Sequence, residues 1–340
     1  MQLDAKPVRK RKGWVIGFVV IGALVLLVKN HTEPAQFARI VAHAHPSWLL
    51  LAVVLQLLTY PCIALTWTYV IHRDGEHPPS LGKLVRLSVA ELFLDQTIPS
   101  GGVSGTVLVV ASLKKRGVPQ HAAVAAVVSS LLGFYLAQIV GVIIAFVVLV
   151  VAGHFGGWEA TATVIALVGS LLVPVPLVVT LMGALEKLPK RVQRIKAVAE
   201  IRDHIADAPR ELVFSPWVLL VATALRFAVL VLDGGTLAMS ALAIGSSAPI
   251  VSITAAFVLA YVVGSVTDLP GGLGTFEVAC TTLLAGLGVP FASAAAATLL
   301  MRGLSFWLPM LPGIFFTRRE VTRPHEPRKR SLEPASPTPT

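Results

Sequence analysis

The chain has 340 residues, of which 55% are hydrophobic and 14% charged, with a formal net charge of +10. A soluble globular domain is roughly 45–50% apolar and about 25% charged, so this composition excludes that class, and with it disorder, collagen and a disulfide-stapled scaffold. Mean hydropathy is +0.78, and the apolar residues come in long uninterrupted runs, as in a polytopic membrane protein.

A basic segment, residues 1–13, carries Lys6, Arg9, Lys10, Arg11 and Lys12 ahead of a short apolar run at 14–28. That run has the length of a signal-peptide core, but no small-x-small site follows it directly, so it is read as a span with a cytoplasmic amino terminus. Further spans are expected at 47–71, 122–153, 160–185, 212–244 and 291–316, and a polar, Pro- and Arg-rich tail at 317–340 is expected to be disordered and cytoplasmic. Cys62 and Cys280 lie inside apolar runs and read as packing residues.

Two segments fit a simple span poorly. Residues 84–113 and 250–289 each read as two half-length helices, around IPSGG and LPGG respectively. Pro lacks the N–H and Gly is costly inside a helix, so both segments are expected to be broken or re-entrant hairpins. Irregular backbone at membrane depth survives only where protein or a watery cavity surrounds it. The two are also alike. Pro99 lies 20 residues before Pro119 in a Gly-Val-Pro, and Pro270 lies 20 residues before Pro290 in another. Equal spacing points to an internal repeat.

Of the 28 basic residues, 24 fall in segments assigned to one side, Lys29 and Arg39 fall on the other, and Arg226 and Arg302 are intramembrane. The positive-inside rule is met only if each hairpin returns to its own side, which inverts one repeat relative to the other. The expected fold is therefore all-α and integral, with about six full spans and two broken hairpins (eight by simple count). It is expected in the plasma membrane with both termini cytoplasmic. The basic loops are expected to meet anionic lipid. No nucleic-acid-binding motif accompanies the charge.

If the two prolines sit near mid-membrane, half-helices begin after Gly101-Gly102 and after Gly271-Gly272, with free N–H groups and positive dipole ends pointing inward. Such ends hold anions such as phosphate. The alternative is that these glycines only permit tight turns and close packing; sequence leaves both open. The ionisable candidates inside the spans are Glu91, Asp95, Arg226, Asp268, Glu277 and Arg302, with Asp233 also present. Each costs at least about 2.5–3.5 kcal/mol at a helix centre, so retention calls for a reason. Guanidinium forks suit phosphate, whereas the carboxylates suit a proton or a cationic headgroup. The bland alternative is ion pairing between an arginine and a carboxylate. No nucleotide loop, nucleophile elbow, metal-ligand spacing or cofactor motif is present, and catalysis is not expected.

IPSGGVSG at 98–105, SLKKRGVPQHAAVAAV at 112–127 and the run from LPGG to LPMLPG at 269–313 resemble the lysylphosphatidylglycerol synthase transmembrane region family, also described as flippase-like. The likeness covers about residues 14–316 and implies one membrane domain there. In the multiple peptide resistance factor such a region flips aminoacylated phosphatidylglycerol, while a separate soluble domain does the aminoacyl transfer. These 340 residues contain no domain of that kind, so the synthase activity is not expected. The resemblance implies the handling of a membrane phospholipid or lipid-linked intermediate. Three readings follow: a flippase-like transporter for an anionic or lipid-linked headgroup; an accessory subunit partnering a lipid-modifying or glycan-building enzyme in the same membrane; and a membrane transferase using Glu91, Asp95 or Glu277 as base.

Overall fold

The computed structural model describes residues 42–97, 103–153, 157–172, 209–265 and 272–323, with single positions 40, 175 and 178. The runs expected at 14–28 and in the second half of 160–185 lie outside them. In chain order the helices are α1 (Pro46–Arg73), α2 (Leu81–Thr97), α3 (Val103–Lys115), α4 (Gln120–Val151), α5 (Gly157–Leu172), α6 (Pro216–Ala243), α7 (Ile250–Ser265), α8 (Thr275–Gly286), α9 (Phe291–Arg302) and α10 (Met310–Thr322). Among the described residues four segments are long and apolar enough to cross a membrane: α1, α4, α6 and the α9–α10 unit. A helix of 28 residues, such as α1 or α6, is about 42 Å long, enough for a hydrocarbon core of about 30 Å. The protein is an all-α polytopic membrane protein.

The repeat extends beyond the Pro-Gly-Gly and Gly-Val-Pro signatures. Both α1 and α6 have Pro at their start and 28 residues. Each is closed by a left-handed glycine, Gly75 and Gly245, both at φ 85. The half-helices α3 and α8 end likewise at Gly117 and Gly288, both at φ 84. At all four ends the residue after the glycine donates its N–H back five positions: Glu76 to Ile71, Val118 to Leu113, Ser246 to Ala241 and Val289 to Leu284. These are Schellman caps, which require φ > 0 at the glycine.

The repeats run in opposite directions. The His45 N–H donates to Ala243 O at 2.7 Å, so the start of α1 meets the end of α6. Further in, Gln56 Nε2 donates to Asp233 Oδ1 at 3.1 Å. Equivalent helices of the two repeats are thus antiparallel neighbours. Because α2 follows the end of α1 and α7 follows the end of α6, the two hairpins enter from opposite ends of the molecule. Each turns back on itself. In the first, Ser104 Oγ donates to Leu94 O at 3.3 Å and Gly105 N–H donates to Asp95 Oδ1 at 2.9 Å. In the second, Gly272 at φ 64 lies so close to Gly264 O that an added Cβ would sit 2.9 Å from it.

Two apolar cores form, one at each end. One contains Trp67, Leu84, Leu113 and Ala122–Ala126; the other contains Leu149, Leu237, Phe257 and Leu284. Small residues allow close packing, as expected where lipid gives no hydrophobic drive for helices to associate. An added Cβ at Gly133 of α4 would sit 2.7 Å from the Ala222 backbone of α6. Large apolar side chains such as Leu50, Leu57, Ile143 and Val147 are exposed outward, as lipid-facing positions should be.

The final span differs from the expected continuous run. Residues Gly303–Trp307 are a π-helical segment, with the Leu308 N–H donating to Gly303 O at 2.8 Å. The helix then continues to Thr322, past the expected boundary at 316. Its end is held by a buried ion pair between Arg116 and Glu320 and by Lys115 Nζ donating to Glu320 O and Val321 O. Cations at a helix carboxy terminus are stabilising, and Lys115 and Arg116 both hold the end of α10.

Candidate functional site

Between the two apolar cores lies a polar layer, built where the long helices cross mid-span. On α4 the core residues stop at Leu132 and resume at Val142. The interval holds Phe134, Tyr135 and Gln138. On α6 the corresponding interval holds Arg226, with Asp233 two turns further on the same face, and on α1 it holds Gln56 and Tyr60. The two hairpins bring Glu91 and Asp95 from α2 and Tyr261 from α7. Arg226 interacts electrostatically with Glu91, Tyr261 and Asp95. Its Nε donates to Ser130 Oγ at 3.0 Å, and a terminal nitrogen donates to the same hydroxyl. Its guanidinium lies 6.0 Å from the Phe134 ring centroid.

Phe134, Ala137, Gln138, Arg226, Asp233 and Tyr261 line a cleft of about 20 Å³, room for about one water. Gln138 is 1% exposed, and neither its Oε1 nor its Nε2 has a hydrogen-bond partner among the described residues. A buried amide left unpaired is costly, so it marks a place where a water or ligand group completes the site. Tyr261 stacks on Phe257 at 5.6 Å and meets Phe134 edge-on at 6.2 Å. It also interacts with Asp233 and Arg226 of α6 and with Arg302 of α9.

The second hairpin carries a different arrangement. Arg302 Nε lies 2.7 Å from Glu277 Oε1, with the side chains 12% and 5% exposed. The Arg302 guanidinium also lies 4.3 Å from the Phe276 ring centroid. Glu277 Oε2 accepts the Gly274 N–H, so the third residue of α8 reaches back to cap the N–H that precedes the helix. Of the two alternatives for an arginine in the membrane, Arg302 is thus the ion-paired one, while Arg226 is held by a serine hydroxyl beside a cleft.

Both half-helices therefore have a carboxylate of the chain at their amino-terminal end: Asp95 on the Gly105 N–H of α3, and Glu277 on the Gly274 N–H of α8. The ends expected to hold an anion each carry a carboxyl group of the chain in this conformation, at the position where a macrodipole favours negative charge. A headgroup phosphate reaching those N–H groups has to displace a carboxylate. Gly101, Gly102, Gly271 and Asp268 lie outside the described residues, and Gly272 is described as part of the turn against Gly264.

Sequence reading brought forward Glu91, Asp95, Arg226, Glu277 and Arg302, and the structure gathers the first three in one cluster and the last two in a pair. It did not bring forward Ser130, Gln138 or Tyr261. The available signal was modest: Ser129-Ser130 and Gln138 are polar positions within the otherwise apolar interior of α4. Among the described residues no group of three His, Cys, Asp or Glu is placed to hold a metal.

No curated protein matches this sequence. The family model for the lysylphosphatidylglycerol synthase TM region matches residues 14–313. That span contains both hairpins, the polar layer and the Arg302–Glu277 pair, and the chain belongs to the lysylphosphatidylglycerol synthase TM region family.

Proposed function

We propose that the protein is a flippase-like transporter that moves an anionic or lipid-linked headgroup across the plasma membrane, with Arg226 as the group that meets the phosphate. The observation that carries this reading is the polar layer between two apolar cores, met by hairpins from opposite ends. Inverted repeats with broken helices at the midplane are a transporter architecture, with the substrate site at the repeat interface. A planar guanidinium suits a phosphate diester, and Glu91, Asp95 and Asp233 nearby suit a proton or a cationic part of the headgroup. The basic tally supports cytoplasmic termini in this reading.

The cleft is far smaller than a lipid headgroup, so this conformation is a closed one, and transport needs the hairpins to part. A closed interior equally favours an accessory subunit that scaffolds a lipid-modifying enzyme in the same membrane without moving lipid itself. Transbilayer movement of lipids with different headgroups, measured in vesicles reconstituted with the purified protein, separates the two. Protein-dependent movement of anionic lipid supports the transporter; rates equal to protein-free vesicles for every headgroup support the accessory role.

A further inference from the structure

The two repeats place different side chains at equivalent positions. Gln56 of α1 and Arg226 of α6 each lie ten residues after the proline that opens their 28-residue helix. Arg226 brings a positive charge to Glu91 and Asp95. Gln56 brings only a neutral amide: its Nε2 donates to Asp233 Oδ1 at 3.1 Å. No ion pair among the described residues includes Asp233.

The helices packed against α6 supply no cation to it either. Tyr60 of α1 and Tyr261 of α7 interact with Asp233, and a phenol carries no positive charge. Gln138 of α4 lines the same cleft and is neutral. Arg302 of α9 is paired with Glu277. Arg226 lies two turns back on α6 itself, where Ser130 holds it. Among the described residues the polar layer thus sets the carboxyl groups of Glu91, Asp95 and Asp233 against the guanidinium of Arg226. A carboxylate at membrane depth without a cation is costly, and a proton removes that cost.

Two buried amides lack the partner that such a proton supplies. Gln56 is 4% exposed, and its Oε1 has no hydrogen-bond partner among the described residues, although its Nε2 already bonds Asp233. The Gln138 amide, in the cleft that Asp233 lines, has none on either atom. An ionised carboxylate only accepts, whereas a protonated one has an O–H to donate. A proton on Asp233 gives a donor to Gln56 Oε1, or to the Gln138 amide through the one water the cleft can hold. We infer that Asp233 is a proton-binding site, protonated while the polar layer is closed and releasing its proton to water as hydronium when the hairpins part. Only an O–H bond breaks in that step, and water solvates the carboxylate left behind. The site does not depend on lipid movement; its coupling to transport rests on the flippase reading.

The test is the infrared spectrum of the full chain in detergent at neutral pH, read at the carbonyl stretch of a protonated carboxyl group. The wild type should show this band, shifted in heavy water, and Asp233→Asn should remove a component of it. Gln56→Met takes away the amide donor and should move that component to higher frequency, as a carbonyl released from a hydrogen bond does. Glu211→Gln, at the basic end of the molecule, should leave it unchanged. No such band in the wild type, or an equal band in Asp233→Asn, would overturn the site. So would a melting temperature raised by Na⁺ over choline in the wild type but not in Asp233→Asn, since a metal cation would then hold the place. In vesicles, a pH difference across the membrane should change the rate of lipid movement by the wild type and leave that of Asp233→Asn unaffected. A wild-type rate indifferent to the pH difference would overturn the coupling. The band in a chain that moves no lipid would sink the flippase reading and leave the proton site standing.

Discussion

Glu277 uses its two oxygens for two different tasks: Oε1 lies 2.7 Å from Arg302 Nε, and Oε2 takes the Gly274 N–H at the start of α8. One carboxylate thus caps a half-helix and neutralises a cation from the last span, in a setting where neither charge meets bulk water. Breaking such a pair costs about 3–5 kcal/mol, because the remaining charge is stranded. Arg302→Ala should therefore lower expression and melting temperature strongly. Arg302→Met combined with Glu277→Gln should recover most of the loss. A double variant as damaged as the sum of the two single changes would show that the pair is not coupled.

The corresponding contact in the first hairpin is more confined. A Cβ added at Gly105 would sit 2.5 Å from Asp95 Oδ1, so Gly105→Ala pushes the carboxylate off the end of α3. Losing a cap costs about 1 kcal/mol, to which the clash adds. Melting temperature should fall for Gly105→Ala, and Asp95→Ala in the same chain should remove the clash part of that fall. Independent, additive effects of the two changes would contradict the contact.

Gly303 begins the π-helical segment, and an added Cβ there meets nothing within 4 Å. Alanine fits, and it should stabilise by about 0.5–1 kcal/mol through a less flexible unfolded chain. π segments often mark functional positions, and this one interrupts the span just after Arg302. Gly303→Ala is thus expected to melt higher and move lipid more slowly. A higher melting temperature with an unchanged rate would exclude the segment from the moving parts.

Among the described residues, Arg73, Arg86, Lys115, Arg116, Arg210 and Arg319 gather at one end, while loops 42–49, 152–153, 243–250 and 286–291 at the other hold no Lys or Arg. The positive-inside rule then orients the molecule. Reporter fusions after residue 330 and after residue 156 should report opposite sides of the membrane, the first one cytoplasmic. Both reporters on one side would break the topology.

Much of this fold is legible in the sequence because its punctuation is local. Pro99, Pro270 and the two Gly-Val-Pro turns mark breaks that any helix would have to make, and their equal spacing reveals the repeat. The equivalence of α1 and α6 is not legible, since beyond an initial proline their interiors share no obvious pattern. The same holds for partners. Arg226 and Ser130 lie 96 positions apart, and Gln56 and Asp233 lie 177 apart. Whether an arginine meets a carboxylate or a hydroxyl depends on how two hairpins dock, which no spacing records. Glu277 reaching back to the Gly274 N–H has no full capping-box pattern to announce it, because the N-cap position is a glycine and not Ser or Thr.

The account turns on Arg226, held by Ser130 at 3.0 Å beside the cleft that contains the unpaired Gln138. The most direct measurement is transbilayer movement of a fluorescent anionic lipid in vesicles carrying wild type, Arg226→Lys or Arg226→Gln at equal reconstitution. Charged hydrogen bonds contribute about 1.5–3 kcal/mol, so Arg226→Gln should slow movement by about ten- to a hundredfold. Arg226→Lys, which keeps the charge but loses the fork, should fall between it and the wild type. Wild-type rates in Arg226→Gln, with the protein correctly inserted, would contradict the central claim.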